Sequence, residues 1–477
     1  MSFLAIDQST TSTSAFIFDE NGACKRIFSR THAQMHPKEG YVEHDPAELL
    51  MNVERAVSAG IAAGARAFGL ANQGESCLAW DSVTKKAISP VLVWQDARTA
   101  QYCEELKRSG YEPMIQARTG LPVSTYFSAS KLAWCLTNLP EIKPLLAEGR
   151  LRLGTTDAYF RDCLTGRFQT DIATASRTQL MNISTGEWDE GLCNLFGIPV
   201  KFLPEITDCN GDLGTVSGLP LLGSIVDQQA ALFAYGLKER GQTKMTFGTG
   251  AFAMTLMGGD APSFQGGALP TVAWRLAGQP VTYALDGGLY TASAGLNWAR
   301  SLGLFAEFSE INTFDAPTAI GHNLVFVPAL AGLGCPHWDS AAKGAWFGLS
   351  LETTRLDMMQ AMLEGIAFRA AEILNEMRRQ FPLKGPVHVD GGMAANTWFC
   401  QFLADVTGSA ISVLQQNEMT ALGVARLVAQ AAGTDISPGG QQARLYAPQQ
   451  DLSACLVDFA RARRLTQAWG KRHDDRV

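Results

Sequence analysis

The chain lacks the short sequences that would settle a function on sight. No Walker A stretch (GxxxxGKS or GxxxxGKT) and no complete GxGxxG occurs in its 477 residues, so neither a P-loop nor a simple dinucleotide fold is supported. Its ten cysteines include no CxxC pair, and its seven histidines do not fall at zinc-ligand spacing. Reduced thiols in a cytoplasmic protein are the reading that follows. Positive charge is not in excess: 39 Lys and Arg stand against 46 Asp and Glu, and a net charge of -7 argues against nucleic-acid binding. The basic tail "RARRLTQAWGKRHDDR" reads as a solvated helix end. Membrane signals are missing too. "MSFLAIDQST" has no basic stretch leading into an apolar one, so no signal peptide is expected. The longest uncharged window, Ala316–Trp338, is interrupted by Pro, Gly, His322 and Asn323, so no membrane span is expected.

What remains is a globular composition, 46% hydrophobic and 18% charged, on a chain long enough for two domains. The opening "FLAIDQSTTSTSAFIFDENG" reads as strand, polar turn, strand, with the first strand ending at Ile6 and an Asn-Gly turn at the close. "KMTFGTGAFAMTLMGG" (Lys244–Gly259) has the same shape. One such hairpin opening each half suggests a duplicated unit, divided as residues 1–236 and 237–477, with the polar Tyr235–Lys244 as a candidate hinge. "SIVDQQAALFAYG" and "VHVDGGMAANTWFCQFLADVTG" both read as strand, turn, helix. "LDMMQAMLEGIAFRAAEILNEMRRQ" has helical apolar spacing over about six turns. The class is α/β, and ligands are expected at the carboxyl ends of strands.

Three turns there suit an anion. "DQSTTST" offers amides and hydroxyls beside Asp7; "GTG" (Gly248–Gly250) lets backbone approach closely; "DGGMAAN" places two glycines before a helix. Each is also a plain hairpin or cap by itself. Asp7 suits Mg²⁺ through water, or caps its own turn. Asp227, between strand and helix, reads as an N-cap or as a base for a hydroxyl attacking phosphorus, and the two roles can coexist. "WQDAR" (Trp94–Arg98) groups an aromatic plate with polar side chains, as polyol sites do, or forms a surface loop; Tyr126 is similarly two-sided.

Taken in order, "AIDQSTTST", "GYVEHDPAELL", "VWQDARTA", "YFSASKLAW", "GTTDAYF", "TASRTQLMNISTGEWD", "DQQAALF", "FGTGAF" and "VDGGMAAN" resemble the FGGY family of carbohydrate kinases over nearly the whole chain. The likeness is greatest to its glycerol-kinase branch. The most specific stretch is "GAWFGLSLETTRLDMMQAMLEG" (Gly344–Gly365), which fits the family's C-terminal signature. The resemblance implies two ribonuclease-H-like domains, of the actin and sugar-kinase type, closing over ATP and a polyol. It implies Asp227 as the catalytic base and Asp7 near Mg²⁺. Thr10, Thr11, Thr249 and Gly250 would face phosphates, and Asn297, Gly392 and Asn396 would bind ATP. Glu75, Trp94, Tyr126, Asp227, Gln228 and Phe252 would form the acceptor pocket, with the assembly state, homodimer or tetramer, left open.

Two departures from that pattern bear on substrate. In "AFGLANQGESCLAWD" the residue before Glu75 is Gly74, where typical glycerol kinases have an arginine that grips glycerol. Losing a five-donor guanidinium removes charge-assisted bonds of ~1.5–3 kcal/mol each and opens space. Asp96, in "WQD", resembles pentulose kinases, and the pair suggests a polyol or ketose of four or five carbons, with Asp96 receiving an added hydroxyl. Ser9 and Ser14 stand where the family has glycine and a basic residue, so another cation would serve the phosphates. A true glycerol kinase, an actin-like ATPase and a sugar-binding sensor are the competing readings.

Overall fold

The computed structural model describes residues 2–314, 318–414, 418–436 and 443–474 of the chain. The start of the uncharged window and the end of the basic tail lie outside these residues. Strand β1 (Ser2–Gln8) runs two residues beyond Ile6. Phe3, Leu4, Ala5 and Ile6 are all buried, as a strand covered on both faces requires. It turns back into β2 (Ser12–Asp19), which pairs antiparallel with β1 and with β3 (Cys24–Thr31). On the other side of β1 come β4 (Ala67–Asn72) and β5 (Leu219–Val226), each parallel to its neighbour. The order is β3-β2-β1-β4-β5. Helix α1 (Pro46–Ala62) starts on an Asp45 cap with proline at its first position and packs a Leu49–Val53–Ala56–Val57 stripe on this sheet.

The second sheet repeats the plan. Strands β6 (Thr243–Phe247) and β7 (Ala251–Gly258) form the expected hairpin, and β8 (Leu269–Trp274) pairs with β9 (Thr282–Leu289), which pairs with β7. Strands β10 (Val387–Asp390) and β11 (Ile411–Val413) add in parallel beyond β6, with β12 (Arg444–Tyr446) at the edge. The run β9-β7-β6-β10-β11 matches β3-β2-β1-β4-β5 in order and direction. The duplication expected from two hairpins therefore extends to five strands per half.

A third layer stands beside these: a four-stranded sheet with helices packed on its own apolar cluster, three of its strands (Cys77–Asp81, Val91–Leu92, Leu151–Thr155) inserted between β4 and β5 and the fourth (Glu43–His44) coming from the stretch before α1. This layer carries Trp94 and Tyr126.

Helix α2 (Asp227–Ala234) leaves β5 without an intervening loop. In the second half, α3 (Arg355–Gln380) realises the long periodic segment, opened by a Thr354–Asp357 capping box. Helix α4 (Thr397–Thr407) follows β10, and α5 (Met419–Ala431) follows β11. Although α5 comes late in sequence, it packs on β1, β4 and β5 of the first sheet and on α2. The crossing of α2 and α5 is close: a Cβ on Gly423 would lie 1.8 Å from the Ala230 carbonyl oxygen. The halves are thus interlocked rather than strung in series. The Tyr235–Lys244 connection, expected as a hinge, is anchored at both ends: the Tyr235 hydroxyl donates to Asp390 at 2.9 Å, and Lys244 is buried in β6. All ten cysteines are unpaired, and among the described residues no helix is long and apolar enough to cross a membrane.

Candidate active site

The carboxyl ends of β1, β4 and β5 face the β6–β7 turn across a cleft of about 380 Å³. Asp7, Thr10 and Thr11 reach it from the first hairpin; Gly74 and Glu75 from the end of β4. Trp94 and Tyr126 enter from the inserted layer, Asp227 and Gln228 from the start of α2, and Thr249, Gly250 and Phe252 from the second hairpin. Four of its lining residues carry a buried polar atom with no hydrogen-bond partner: Asp7 Oδ1, Gln73 Nε2, Arg177 Nη1 and Gln229 Oε1. Buried polar atoms are nearly always satisfied, so a concentration of orphans in one cleft marks the place where a polar ligand completes the structure.

Asp227 is not the N-cap that a strand-to-helix position suggested. Val226 holds that place, and Asp227 is the first helical residue, its Oδ1 accepting the Gln228 N–H at 2.6 Å. Burial pushes its carboxyl up to about 6, against the Gln228 N–H, Lys244 and Arg177, which favour the charge. Gln228 is fixed in turn, since Lys244 Nζ donates to its Oε1 at 2.8 Å and to Thr246 at 2.9 Å. A carboxylate raised to that range stays mostly ionised at neutral pH yet accepts a proton readily, as a general base must.

Asp7 is more strongly displaced. Burial, then the charges of Asp227 and Glu418, push it up to about 8. A buried carboxylate whose Oδ1 has no partner, beside two further acids, is a place where a hard cation relieves repulsion. Among the described residues no three His, Cys, Asp or Glu side chains cluster as a preformed metal site. The donor set therefore fits an ion that arrives with most of its own oxygen ligands, such as Mg²⁺ with water and phosphate, and takes one carboxylate from the protein.

Glu75 has an unforeseen partner. It sits at φ +56°, a left-handed conformation uncommon for a residue with a side chain, which aims it from the strand end into the cleft. Arg177 Nε donates to its Oε1 at 2.6 Å, while Arg177 Nη2 lies 3.1 Å from Asp286 on β9. One guanidinium thereby joins a carboxylate of each half. Burial dominates Glu75, pushing it up to about 6 in spite of Arg177. Arg177 and Asp286 escaped the sequence reading because 102 residues separate Arg177 from Glu75 and no local pattern marks the triad. Lys244 carries no signal either: in sequence it is the junction of the polar connection and the second hairpin, and only the fold shows it buried within β6. Arg177 and Lys244 are buried cations beside the cleft, as is Lys131, whose Nζ donates to the Tyr126 carbonyl at 2.9 Å; Ser14 bonds Ser29 at 3.1 Å on the sheet instead.

Other expectations are corrected. Asp96 does not reach the cleft. It is fully buried, its Oδ1 accepting from the Arg98 N–H and Nε and its Oδ2 from the Val42 N–H and Arg98 Nη2. Arg98 also holds Glu43 and lies 3.9 Å over the Tyr41 ring. Every lone pair that could greet a hydroxyl is engaged in locking a loop. The same loop does deliver Trp94, whose indole N–H donates to Thr10 at 3.0 Å and whose ring meets Tyr126 edge-on. Gly74 borders the cleft, though a Cβ there would stand 3.0 Å from Val226.

Asn297, Gly392 and Asn396 lie outside this cleft. Gly391, at φ +90°, brings its Cα against the Phe247 carbonyl, so Gly392 flanks one side of the Gly248–Gly250 turn. The helix bearing Asn297 flanks the other, its Ser293 N–H bonded to the Gly248 carbonyl. Asn396 caps α4 through the Phe399 N–H and donates to the Ile311 carbonyl, so both ends of its amide have structural work.

Comparison with known proteins agrees with this architecture. Residues 2–234 match the N-terminal domain of the FGGY family of carbohydrate kinases, and residues 243–432 match its C-terminal domain. The chain is 38% identical to a glycerol kinase of Bdellovibrio bacteriovorus, over 98% of each sequence. It is 38% identical to glycerol kinase 1 of Pseudomonas aeruginosa, over 90% of each. A crystal structure of Plasmodium falciparum glycerol kinase with ADP superposes with a TM-score of 0.87 at 30% identity, covering 99% of this chain and 98% of that one. A xylulose kinase from Lactobacillus acidophilus shares the fold at a TM-score of 0.84 and 21% identity, covering 98% and 96%. The chain belongs to the FGGY family of carbohydrate kinases, phosphotransferases that act on an alcohol group.

Proposed function

We propose that this FGGY carbohydrate kinase transfers the γ-phosphate of ATP to a hydroxyl of a small polyol or ketose held between Glu75 and Asp227. The observation that carries the reading is Asp227: a carboxyl pushed up to about 6, at a helix start, in a cleft lined with unsatisfied polar atoms. As the acceptor oxygen forms its bond to phosphorus and the bond to the ADP oxygen breaks, the hydroxyl proton passes to Asp227. Glu75, pinned by Arg177, accepts a second hydroxyl and sets the orientation; Trp94 and Phe252 offer apolar faces to the carbons. Thr10, Thr11, Thr249 and Gly250 approach the phosphates from two hairpins, on opposite lips of the cleft. A bound Mg²⁺ would neutralise phosphate charge, and Asp7 is the side chain that would hold it. Approach of the two lips excludes water, a competing nucleophile.

For the acceptor, the reading favours four or five carbons, because Gly74 leaves unfilled the place of a glycerol-gripping arginine. Glycerol itself is the second reading, favoured by the 38% identity to proteins named glycerol kinase. ADP release measured over a panel of three- to five-carbon polyols and ketoses decides between them. A four- or five-carbon acceptor should give the highest kcat/KM, and a maximum at glycerol would overturn the longer acceptor. In the same assay Asp227→Asn should lower kcat by about 10²–10⁴-fold. Unaltered turnover would remove Asp227 from the mechanism.

A further inference from the structure

The turn of the first hairpin is held from behind. His32 directly follows β3, is buried, and stands outside the cleft. Its backbone N–H donates to the Thr11 carbonyl at 3.1 Å, and its Nε2 bonds the Thr10 carbonyl at 3.0 Å. A carbonyl only accepts, so the ring carries its proton on Nε2. His44, fully buried, meets that ring edge-on with centroids 4.9 Å apart, and is itself fixed by an Nδ1 bond to the Ala33 carbonyl at 2.8 Å. The next carbonyl along the turn, that of Ser12, is taken from within: the Ser9 N–H reaches it at 2.9 Å and Ser9 Oγ at 3.0 Å. Three successive carbonyls therefore have fixed directions, two of them toward His32.

In a trans peptide the C=O and N–H point opposite ways. With the Thr10 and Thr11 carbonyls turned back on His32, the N–H groups of Thr11 and Ser12 are turned away from it. The Thr10 hydroxyl oxygen already accepts the Trp94 indole N–H at 3.0 Å, which leaves its own proton for another acceptor. Burial, then His44, hold His32 below the ordinary histidine range, so its ring is neutral at pH 7 and is not the cation that Ser14 leaves wanting. We infer that His32 is a positioning residue for the nucleotide: by holding two carbonyls of the turn it presents the Thr11 and Ser12 N–H groups, with the Thr10 hydroxyl, to the phosphates. The inference rests on the first hairpin meeting the phosphates. Donors fixed in advance cost no ordering when an anion binds, and they need no formal charge in the turn.

Calorimetric binding of a non-hydrolysable ATP analogue with Mg²⁺ to the wild type, His32→Phe and His32→Gln tests this, with acceptor KM measured beside it. Phe keeps a buried ring without a donor; Gln places an amide N–H as many bonds from the backbone as Nε2. His32→Phe should weaken the analogue by about tenfold, the loss of one such bond, while His32→Gln stays within about threefold of the wild type. Acceptor KM should change by less than about threefold in either. A side chain that only fills space gives the reverse order, Phe milder than Gln, and that order overturns the inference. A loss shared equally by analogue and acceptor overturns it too. Thermal melting reports whether each variant is folded. A crystal of the wild type with the analogue needs no variant: phosphate oxygens on the Thr11 and Ser12 N–H groups support the inference, and phosphates elsewhere overturn it. A wild type that fails to bind the analogue overturns the nucleotide reading itself, and the inference with it.

Discussion

The acid group of Asp227 owes its elevated value to burial first, and two cations nearby keep it from rising further. Loss of its negative charge removes the base. As pH falls through about 6 the carboxylate protonates, so kcat should decline toward a tenfold loss per unit well below that point and stay level above it. Glu75 is raised to about 6 as well, again chiefly by burial. Because Glu75 must also be ionised to receive the acceptor, kcat/KM for the acceptor should fall more steeply than kcat. Rate profiles between pH 5 and 8 check both, and a kcat that stays flat to pH 5 would dismiss Asp227 as the titrating base. Asp96 teaches the opposite lesson at the same scale. The motif it stands in looked like sugar recognition, yet two oxygens fully engaged by Arg98 and Val42 have nothing left for a ligand.

Elements hold these side chains in place, and the pair α2 and α5 matters most. Helix α2 carries Asp227 on its first turn, and α5 presses on α2 where Gly423 meets Ala230. A methyl group at 423 cannot fit against a carbonyl oxygen 1.8 Å away without parting the helices. Gly423→Ala should therefore cost about 1–3 kcal/mol of stability, as overpacking does. It should lower kcat as well, because the displaced helix is the one that aims the base. Denaturant unfolding and initial rates measure the two effects, and an unchanged kcat in a destabilised protein would separate the helix contact from the chemistry. The hairpin turns act at this level too: Gly391 must be glycine because its Cα rests on the Phe247 backbone at positive φ, which is how β10 comes to flank the Gly248–Gly250 turn.

Across the whole molecule the question is how two five-strand units behave as one. Arg177 ties Glu75 to Asp286 across the cleft, and α5 from the second half completes the core of the first. Ligands that bridge the cleft should reinforce those ties. A ligand at 100 times its Kd adds about 2.7 kcal/mol to folding stability. An acceptor and a non-hydrolysable ATP analogue together, each near that excess, should thus raise Tm beyond either alone. Equal Tm values for the binary and ternary mixtures would show that the two ligands exclude one another and do not bridge the cleft together.

Much of this was legible in the chain alone because it is local. Strand-turn-strand patterns gave both hairpins, apolar spacing gave α3, and the ordered motifs gave the family. Of the residues singled out, Asp7, Glu75, Trp94, Tyr126, Asp227 and Phe252 meet in one cleft, while Asp96, Asn297, Gly392 and Asn396 stand outside it. Pairings between distant segments were another matter. That Arg177 serves Glu75, that Lys244 steadies Gln228, that Asp96 is spent on Arg98, and that α5 belongs to the opposite sheet all depend on contacts whose free energy no stretch of sequence displays. Neighbours along the chain fix backbone shape through sterics and periodicity. Burial and charge pairing are properties of what folding brings alongside, and those the tertiary structure alone decided.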